Sequence, residues 1–301
     1  MTINTSAISS LLRPGLAAVF GDDPMYPSQW TEIFDNYDSD KSVEIETEVK
    51  LLGLMAIRPE GSPTAFQDMG QRYITTYVNR YISGGFIITR QAIKDNLYKK
   101  DFPQQALALR SAMDQTCETL AISVLNNGFS ASFPGGDGVA LYSTAHPIDT
   151  GTSANTFTTQ ADLNETSLQE ALVVIQQMRN LAGLLVMVQP RKMIVPPQLQ
   201  WTANRLLNSQ FRTGTGNNDI SAVYNVDAIP EGYRVNQFLT DTSAWFIKTN
   251  ANNGFKHYAR EPYETGTFTD FSTDNLLVKA LRRDSWGFSN WRVSFGSSGT
   301  S

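Results

Sequence analysis

Residues 137–147 read DGVALYSTAHP and contain His146, one of two histidines in the chain. Ser143 lies three residues before His146, and Asp137 opens the same stretch. A serine, a histidine and an aspartate are the side chains of a hydrolytic triad, but in such enzymes they normally come from separate segments that the fold brings together. A spacing of three within one loop favours a local turn, in which the hydroxyl bonds nearby backbone. We therefore predict no catalytic residue in this stretch.

The rest of the sequence offers no other recognisable motif for catalysis or cofactor binding. It contains no G-x-S-x-G elbow, phosphate-binding loop, dinucleotide fingerprint or H-E-x-x-H pair. GGDG at 135–138 and GTG at 214–216 lack the residues that would complete a phosphate site, so turns explain them. Two histidines and the single Cys117 show no metal-ligand spacing. We predict no cofactor, no metal and no enzyme, with a serine hydrolase using Ser143 and His146 as the rival hypothesis.

The composition argues against a nucleic-acid reader and a membrane protein. The 301 residues carry a net charge of −5, with 18% charged and 41% hydrophobic side chains. A nucleic-acid-binding domain normally has a basic surplus, because phosphate contacts supply much of its affinity. No apolar run reaches the length of a membrane span, and the first residues, MTINTSAISSLLRPG, do not resemble a secretory signal. We expect a soluble chain made in a cytoplasm, whose lightly charged surface suits contact with other proteins.

Residues 43–52 alternate strictly, which predicts a β-strand with one wet face. The two sets are Val43, Ile45, Thr47, Val49 and Leu51 on one side, and Glu44, Glu46, Glu48 and Lys50 on the other. We expect the strand to continue to Ile57, to turn in RPEGSP at 58–63, and to return through YITTYVNRYI at 73–82. FIIT at 86–89 would extend the return strand. An isolated hairpin is marginal in water, so this one predicts a partner on which it lies.

The first 42 residues are predicted to be an arm. Ser, Thr, Pro and Gly separate its short apolar pieces, which leaves too little apolar surface for a core of its own. The stretch from Asp22 to Glu48 contains nine acidic side chains against one basic side chain, Lys41. The arm is either a floppy tail or a segment that orders against a neighbouring molecule.

Helical and strand patterns are interleaved over the remaining chain, which predicts an α+β fold. Apolar residues recur at spacings of three and four from 101 to 127, indicating a helix of about 37 Å with Cys117 on its buried stripe. Two further helices are expected at 165–182 and 197–208, the second directly after a strand at 193–197. The glycine-rich loop FRTGTGNND follows at 211–219. Short strands are then predicted at 221–229, 234–239, 244–249, 255–262, 276–283 and 290–295.

Four pieces of the sequence, in order, resemble tailed-phage major capsid proteins, in particular the Mu-like major head subunit group. DGVALYSTAHP at 137–147 resembles DG-x-ALFSTAHP, and KMIVPPQL at 192–199 is similar to the L-V-V-P-P-x-L segment before a helix. IETEVKLLGLMAIRP at 45–59 is similar to the extended β-hairpin of those proteins. WGFSNWRV at 286–293 resembles their C-terminal W-x-G-x-R strand region.

The resemblance implies the Hong Kong 97 capsid fold, an α+β fold with four parts. Residues 1–42 would be the N-terminal arm, and residues 43–88 the extended hairpin called the E-loop. Residues 89–160 and 246–301 would form the peripheral P-domain around the long spine helix. Residues 161–245 would form the axial A-domain.

The same resemblance implies a function. The chain would be the major capsid protein of a tailed bacteriophage, assembling into hexamers and pentamers of an icosahedral shell around double-stranded DNA. Its partners would be further copies of itself, a separate scaffolding protein, a portal and the packaged DNA, which it would hold without reading its sequence; it would have no membrane partner. Its location would be the virion, after assembly in the host bacterial cytoplasm. An encapsulin-like compartment with a protein cargo is the alternative of the same fold.

We expect contacts between subunits chiefly on the hairpin and on the axial loop. The expected contact residues are Glu44, Glu46, Glu48, Lys50, Arg58, Arg80, Arg212 and Asn217. The acidic run would meet basic side chains of a neighbour, such as Arg80, Arg90, Arg282 or Arg283. Such pairing predicts an assembly that responds to ionic strength.

Overall fold

The computed structural model describes residues 27–50, 52–95, 98–211 and 220–300. The strands are β1 (Asp35–Asp38), β2 (Val43–Val49), β3 (Gln71–Val78), β4 (Arg80–Ile88), β5 (His146–Ile148), β6 (Gly151–Ser153), β7 (Pro190–Val195), β8 (Tyr233–Val235), β9 (Trp245–Thr249), β10 (Phe255–Thr269), β11 (Leu276–Phe288) and β12 (Ser294–Ser297). The helices are α1 (Arg90–Lys94), α2 (Tyr98–Asn126), α3 (Glu165–Gln176), α4 (Gln200–Asn208) and α5 (Ala222–Asn225). Single 3-10 turns occur at Trp30–Glu32, Pro197–Leu199 and Trp291–Val293.

The long antiparallel pair β10–β11 forms the centre of the first sheet, whose strand order is β1-β10-β11-β4. β1 lies parallel to β10 at one edge, and β4 lies antiparallel to β11 at the other. Helix α2 packs on this sheet, where its Ala106 and Met113 join Ile88, Leu276 and Val278 in an apolar cluster. Ala106, Met113 and Cys117 of the predicted apolar stripe are buried, whereas Leu120 is 39% exposed, so the prediction is confirmed only as far as Cys117.

The second sheet has the strand order β12-β9-β7-β8, with β7 and β8 parallel. Helix α3 belongs to this layer, and a capping box starts it: the Asn164 side chain accepts from the Ser167 amide, while the Ser167 hydroxyl accepts from the Asn164 amide. Its Leu168 and Ile175 are fully buried in the main core with Phe246 of β9. The main core therefore lies in this second layer.

The second sheet draws strands from both sides of the boundary predicted at residue 246. β9 spans that boundary, and β12, from the segment expected in the P-domain, pairs with β9 from Ser294–Lys248 to Ser297–Trp245. The end of the chain thus ties the two layers together.

β2 and β3 form a separate antiparallel ladder, and we call residues 43–78 the hairpin. A last backbone hydrogen bond joins the Lys50 amide to the Gly70 carbonyl at 2.8 Å. The described residues beyond it form no ladder, so the prediction that the strand continues to Ile57 is wrong. Gly53 and Gly70 flank the point at which the ladder ends, and glycine weakens strand pairing.

A single residue, Asn79, separates β3 from β4, and β4 pairs with β11 rather than with the hairpin. The buried Asn79 amide donates to the Ser39 hydroxyl (2.9 Å) and to the Lys41 carbonyl (2.8 Å). Its side-chain oxygen accepts from the Ser285 hydroxyl at 2.8 Å. The return strand of the hairpin is therefore continuous with the first sheet, and Asn79 is clamped on both sides.

Residues 27–42 were expected in a poorly packed arm, and this expectation is wrong. Trp30, Ile33 and Phe34 are buried in the main core, and β1 adds an edge strand to the first sheet. Although the stretch as a whole is acidic, these three large apolar side chains lie within five residues. Their burial stabilises the segment against the body of the chain. The remainder of the predicted arm, residues 1–26, lies outside the described residues.

Two further element predictions need correction. The strand expected at 221–229 is wrong, because the Ser221 hydroxyl accepts from the Tyr224 amide and caps the short helix α5. The helix expected at 165–182 ends at Gln176, and the chain then turns through Gly183 with φ +81°, a conformation that favours glycine. None of the helices in the described ranges is long and apolar enough to cross a membrane.

Candidate assembly surface

The stretch 137–155 places the buried His146 among buried polar partners. The imidazole Nδ1 lies 2.6 Å from Asp137 Oδ2, and Nε2 lies 3.1 Å from Asn155 Oδ1. The ring is fully buried and stacks on Trp291, with centroids 4.1 Å apart and planes 4° from parallel. The Asn155 amide nitrogen donates to the backbone carbonyls of Leu141 (2.7 Å), Trp291 (3.1 Å) and Ser294 (3.1 Å). The loop is thereby joined to the C-terminal residues.

This geometry does not make Ser143 and His146 a nucleophile and its base. Asp137 and Asn155 occupy the two ring nitrogens of His146, so neither nitrogen faces the Ser143 hydroxyl. That hydroxyl accepts from the Ala145 amide at 3.1 Å, as expected of a local turn. Among the described residues, no group of His, Cys, Asp and Glu side chains is arranged to hold a metal ion.

Cys117 lies on the buried stripe of α2, as its position in the sequence predicted. Burial raises the pKa of its thiol to about 11. The thiolate, which is the reactive form of cysteine, is therefore disfavoured. The side chain acts as a small apolar group.

The hairpin has two faces, set by the register of β2 and β3. Its inner face carries Glu44, Glu46 and Glu48 with Thr75 and Tyr77, and its outer face carries Val43, Ile45, Thr47, Val49, Ile74, Thr76 and Val78. The alternation predicted one wet face without saying which set of side chains forms it. In the structure, the inner face lies against the body of the chain, and the outer face is exposed.

Glu46 is the centre of the inner contact. Its carboxylate pairs with Lys256 and accepts a hydrogen bond from Tyr258, and the Ser289 hydroxyl donates to it at 2.8 Å. Burial alone would raise the pKa of Glu46, but the hydrogen bonds from these three residues outweigh burial and hold the pKa below its ordinary value. Beside it, Tyr77 is buried and shares a 2.6 Å hydrogen bond with Ser289.

Glu48 continues this contact toward the end of the ladder. It accepts a hydrogen bond from the buried Arg292 at 3.1 Å. Burial raises the pKa of Glu48, and the Arg292 guanidinium opposes that rise. When the hairpin is docked, the Glu48 carboxylate is therefore partly buried, and the Arg292 guanidinium stabilises its negative charge.

Both strands of the hairpin also reach the loop that follows His146. The Tyr73 hydroxyl donates to the Pro147 carbonyl at 3.2 Å. Asp149 binds Lys50 (2.8 Å), which directly follows β2, and Arg72 (3.4 Å) of β3. The hairpin therefore lies on the loop at 137–155 and on the C-terminal residues Trp291 and Arg292. We call these residues together the seat.

The outer face presents apolar side chains to solvent. Ile45 is 64% exposed, Val49 45%, Ile74 54% and Val78 50%. The rest of the hairpin beyond the ladder adds Leu54, Met55, Ile57, Phe66 and Met69, all exposed. So many exposed apolar side chains on one hairpin indicate a site of association.

The predicted contact residues fall into three groups. Glu44, Glu46, Glu48 and Lys50 all face partners within their own chain. Arg58 and Arg80 are exposed, Arg58 at the end of the hairpin and Arg80 at the start of β4. Arg212 and Asn217 lie outside the described residues, with most of the loop at 211–219. A contact between copies at any of these positions stays a prediction.

The acidic run finds its described basic partners within the same chain, and these are not the ones expected. Glu32 pairs with Lys192 (3.2 Å) and Arg234 (2.6 Å), and Lys248 lies 3.7 Å from Asp35. Three of the four arginines proposed as partners of a neighbour's acidic run also have carboxylates in their own chain: Arg90 with Asp274, Arg282 with Asp284, and Arg283 with Glu261. The sequence showed the charges but not the fold that pairs them.

Three residues that build the seat were not singled out from the sequence. Asn155 lies nine residues after His146 in no recognisable pattern. Trp291 and Arg292 belong to WGFSNWRV, which was noted only as a strand region. A tryptophan followed by an arginine was the one available signal, because such a pair supplies an apolar ring and a cation at one point.

The model of the phage capsid protein family matches residues 73–292. The chain belongs to this family. The match covers the loop around His146, most of the return strand β3, and both sheets except their edge strands β1 and β12. A search of curated protein sequences finds no match.

Solved structures agree in fold. A virus-like particle from Pyrococcus furiosus shares 10% identity at a TM-score of 0.56, covering 96% of this chain and 98% of that one. The procapsid of bacteriophage JBD30 shares 14% identity at 0.54, covering 99% and 77%. Microbacterium phage Oxtober96 shares 10% identity at 0.52, covering 92% and 93%. The predicted Hong Kong 97 type of capsid fold is confirmed, and the family supports the predicted function as a tailed-phage major capsid protein.

Proposed function

We propose that this capsid protein assembles into hexamers and pentamers of an icosahedral shell, and that the outer face of the hairpin lies on a neighbouring copy. The observation that carries the proposal is the orientation of the hairpin. Its charged face is already bound to its own chain, and its apolar face is open. Burying apolar surface on association gives the contact its free energy, at roughly 25 cal/mol per Å².

Assembly in a closed shell suits contacts that are weak one at a time. Symmetry repeats each hairpin contact around every ring, and a closed ring adds contacts without a new association cost. We propose the domain division 43–88, 89–160 with 246–301, and 161–245, with α2 and the first sheet as the peripheral layer. β4 pairs with β11 from outside its own part of this division, and β9, the partner of β12, spans the boundary at residue 246. Arg58 and Arg80, exposed on and beside the hairpin, are proposed to contact the same neighbour.

Further partners belong to the proposal. We expect a separate scaffolding protein and a portal during assembly in the bacterial cytoplasm, and double-stranded DNA held inside the virion without sequence readout. The net charge of −5 fits a shell that encloses DNA without gripping it tightly. Membership of the Mu-like subgroup rests on the four sequence pieces.

The test is a charge placed on the apolar end of the hairpin. Ile57 is 97% exposed, so Ile57→Asp leaves the folded monomer unstrained but puts a carboxylate into the proposed contact. Electron microscopy and sedimentation should show uniform particles for the unchanged chain and for Ile57→Val, and folded but unassembled subunits for Ile57→Asp. Assembly of Ile57→Asp at the unchanged level would contradict the proposed contact.

An encapsulin-like compartment is the second candidate, favoured by the likeness to the virus-like particle from Pyrococcus furiosus. Both candidates predict particles, so contents separate them. Particles purified from infected or lysogenic cells and treated with nuclease should protect double-stranded DNA. Particles that hold one defined protein and no DNA would favour the compartment.

A further inference from the structure

We propose that His146 is a doubly protonated imidazolium whose charge positions the base of the hairpin on its seat. This concerns the charge state of one buried ring within one chain. The protonation of His146 can be tested without any assembled shell.

The hydrogen-bond partners of Asn155 fix the orientation of its side-chain amide. Its amide nitrogen faces three carbonyl oxygens, those of Leu141, Trp291 and Ser294, and a carbonyl can only accept. Its side-chain oxygen faces the Ser143 amide at 2.9 Å, which can only donate. Rotating the amide by 180° would place a donor against the Ser143 amide and an acceptor against each of the three carbonyl oxygens. Asn155 therefore presents an oxygen, an acceptor, to His146.

The orientation of Asn155 determines where the imidazole of His146 carries its protons. Nε2 faces the Asn155 oxygen at 3.1 Å, so Nε2 must carry a proton. Nδ1 faces the Asp137 carboxylate at 2.6 Å and needs a proton there as well. A neutral imidazole has one N–H, so either neutral tautomer sets a nitrogen lone pair against an oxygen lone pair. The buried pair of His146 and Asp137 therefore holds one proton more than a neutral ring beside a carboxylate.

The charge is also needed for local balance. Asp137 binds His146 directly, and Glu48 of the hairpin interacts electrostatically with both. Arg292 binds Glu48, and Tyr73 binds the carbonyl of Pro147, the residue after His146. Outside them, Asp149 is already matched by Lys50 and Arg72. With His146 charged, two carboxylates face two cations. With His146 neutral, one negative charge is left in excess.

The charge of His146 affects the hairpin through the residues that His146 contacts. His146 stacks on Trp291, and the next residue, Arg292, binds Glu48 of β2. On the other side, Pro147 directly follows His146 and accepts from Tyr73 of β3. A shift of the ring on losing its proton therefore reaches both strands. His146 is a positioning residue, since it touches the hairpin only through its neighbours.

The sign of the pH dependence follows from these contacts. The contacts of both ring nitrogens favour the protonated imidazole while the hairpin is docked, so loss of that proton weakens docking. Because one proton is released, the docking equilibrium changes by at most about tenfold per pH unit. Burial raises the pKa of Glu48, so protonation of Glu48 in acid does not oppose docking.

The charge state can be read directly by nitrogen-15 NMR. With only two histidines, selective labelling of the full chain gives two imidazole signal sets. In sedimented protein near neutral pH, both nitrogens of His146 should report attached protons. His257 is the internal reference, because its partners Asp284 and Asn36 are not shared with the His146 loop. One unprotonated nitrogen on His146, with the hairpin still protected, would overturn the proposal.

Asp137→Asn is the matched variant. The new amide can donate to Nδ1, so a neutral ring protonated at Nε2 satisfies every contact without a charge. We expect His146 to show one unprotonated nitrogen in this variant and His257 to remain unchanged. Hydrogen exchange in 44–49 and 71–77, corrected for its intrinsic pH dependence, should accelerate up to about tenfold per pH unit above neutrality in the unchanged chain and stay level in Asp137→Asn. An equal pH dependence in both chains would refute the role of the charge.

Discussion

At the scale of single residues, Asn155 joins the buried loop to the rest of the chain through its one side chain. Its amide binds three backbone carbonyls, and its oxygen binds a backbone amide and His146. His257 shows a related arrangement, since it binds Asp284 at 2.9 Å and stacks on Trp286 at 5.0 Å. Both histidines of this chain are therefore buried and paired with carboxylates.

Asn155→Asp tests the importance of this amide. The change keeps the shape but turns a carboxylate oxygen toward three carbonyl oxygens, so we expect a loss of about 3 kcal/mol or more in the free energy of unfolding. Urea denaturation of the full chain measures it. Asn252→Asp, at an exposed position, is the control and should change stability by less than about 0.5 kcal/mol. Equal losses in both variants would show that the three carbonyl contacts contribute little.

The sequence drew attention to His146 but could not reveal its partners. Asp137 and His146 are near each other in the chain, so a local contact was foreseeable. Trp291 and Ser294 come from a segment more than 130 residues away, and only the packing of the two sheets brings them to Asn155. A buried polar network is a property of the finished fold.

At the scale of elements, the hairpin shows what alternation can and cannot predict. A period of two identifies a strand and sorts its side chains into two sets. It does not say which set faces the body. That depends on Lys256 and Arg292, which attract Glu46 and Glu48 inward and leave Ile45 and its neighbours outside.

The acid end of the pH range tests the inner face. The pKa of Glu46 is lowered from 4.5, so the stability that its charge supplies is present above that value and is lost as the pH falls through the lowered pKa. Glu46→Gln should weaken docking by about 1 kcal/mol at neutral pH and remove most of its acid dependence. Hydrogen exchange in 71–77 reports docking.

Glu60→Gln is the control for this change, because Glu60 is exposed in the turn at the end of the hairpin. It should leave exchange in 71–77 as it is in the unchanged chain at every pH. Acid-dependent docking that persists in Glu46→Gln would place the titrating group elsewhere.

At the scale of the whole molecule, composition and resemblance predicted the α+β fold and the family. The acidic run suggested ion pairs between copies. In the described residues its carboxylates are matched largely within the chain, and the open surface is apolar. Charge counts along a sequence do not reveal pairings that depend on distant segments.

Assembly should therefore tolerate salt. Exposed ion pairs are screened within about 8–10 Å at moderate ionic strength, whereas apolar contacts are not. We expect particle yield by light scattering to stay within about twofold between 0.1 and roughly 0.5 M sodium chloride. A steep fall over this range would restore ion pairing between copies as the main attraction.

The junction at Asn79 has a mechanical consequence. Because β3 passes into β4 through one clamped residue, a pull on the far end of the hairpin is carried along a continuous strand into β11. The load reaches the ladder of hydrogen bonds lengthwise, so many of them share it at once. A container under pressure from within would transmit tension through that strand, and no loop between β3 and β4 would stretch first.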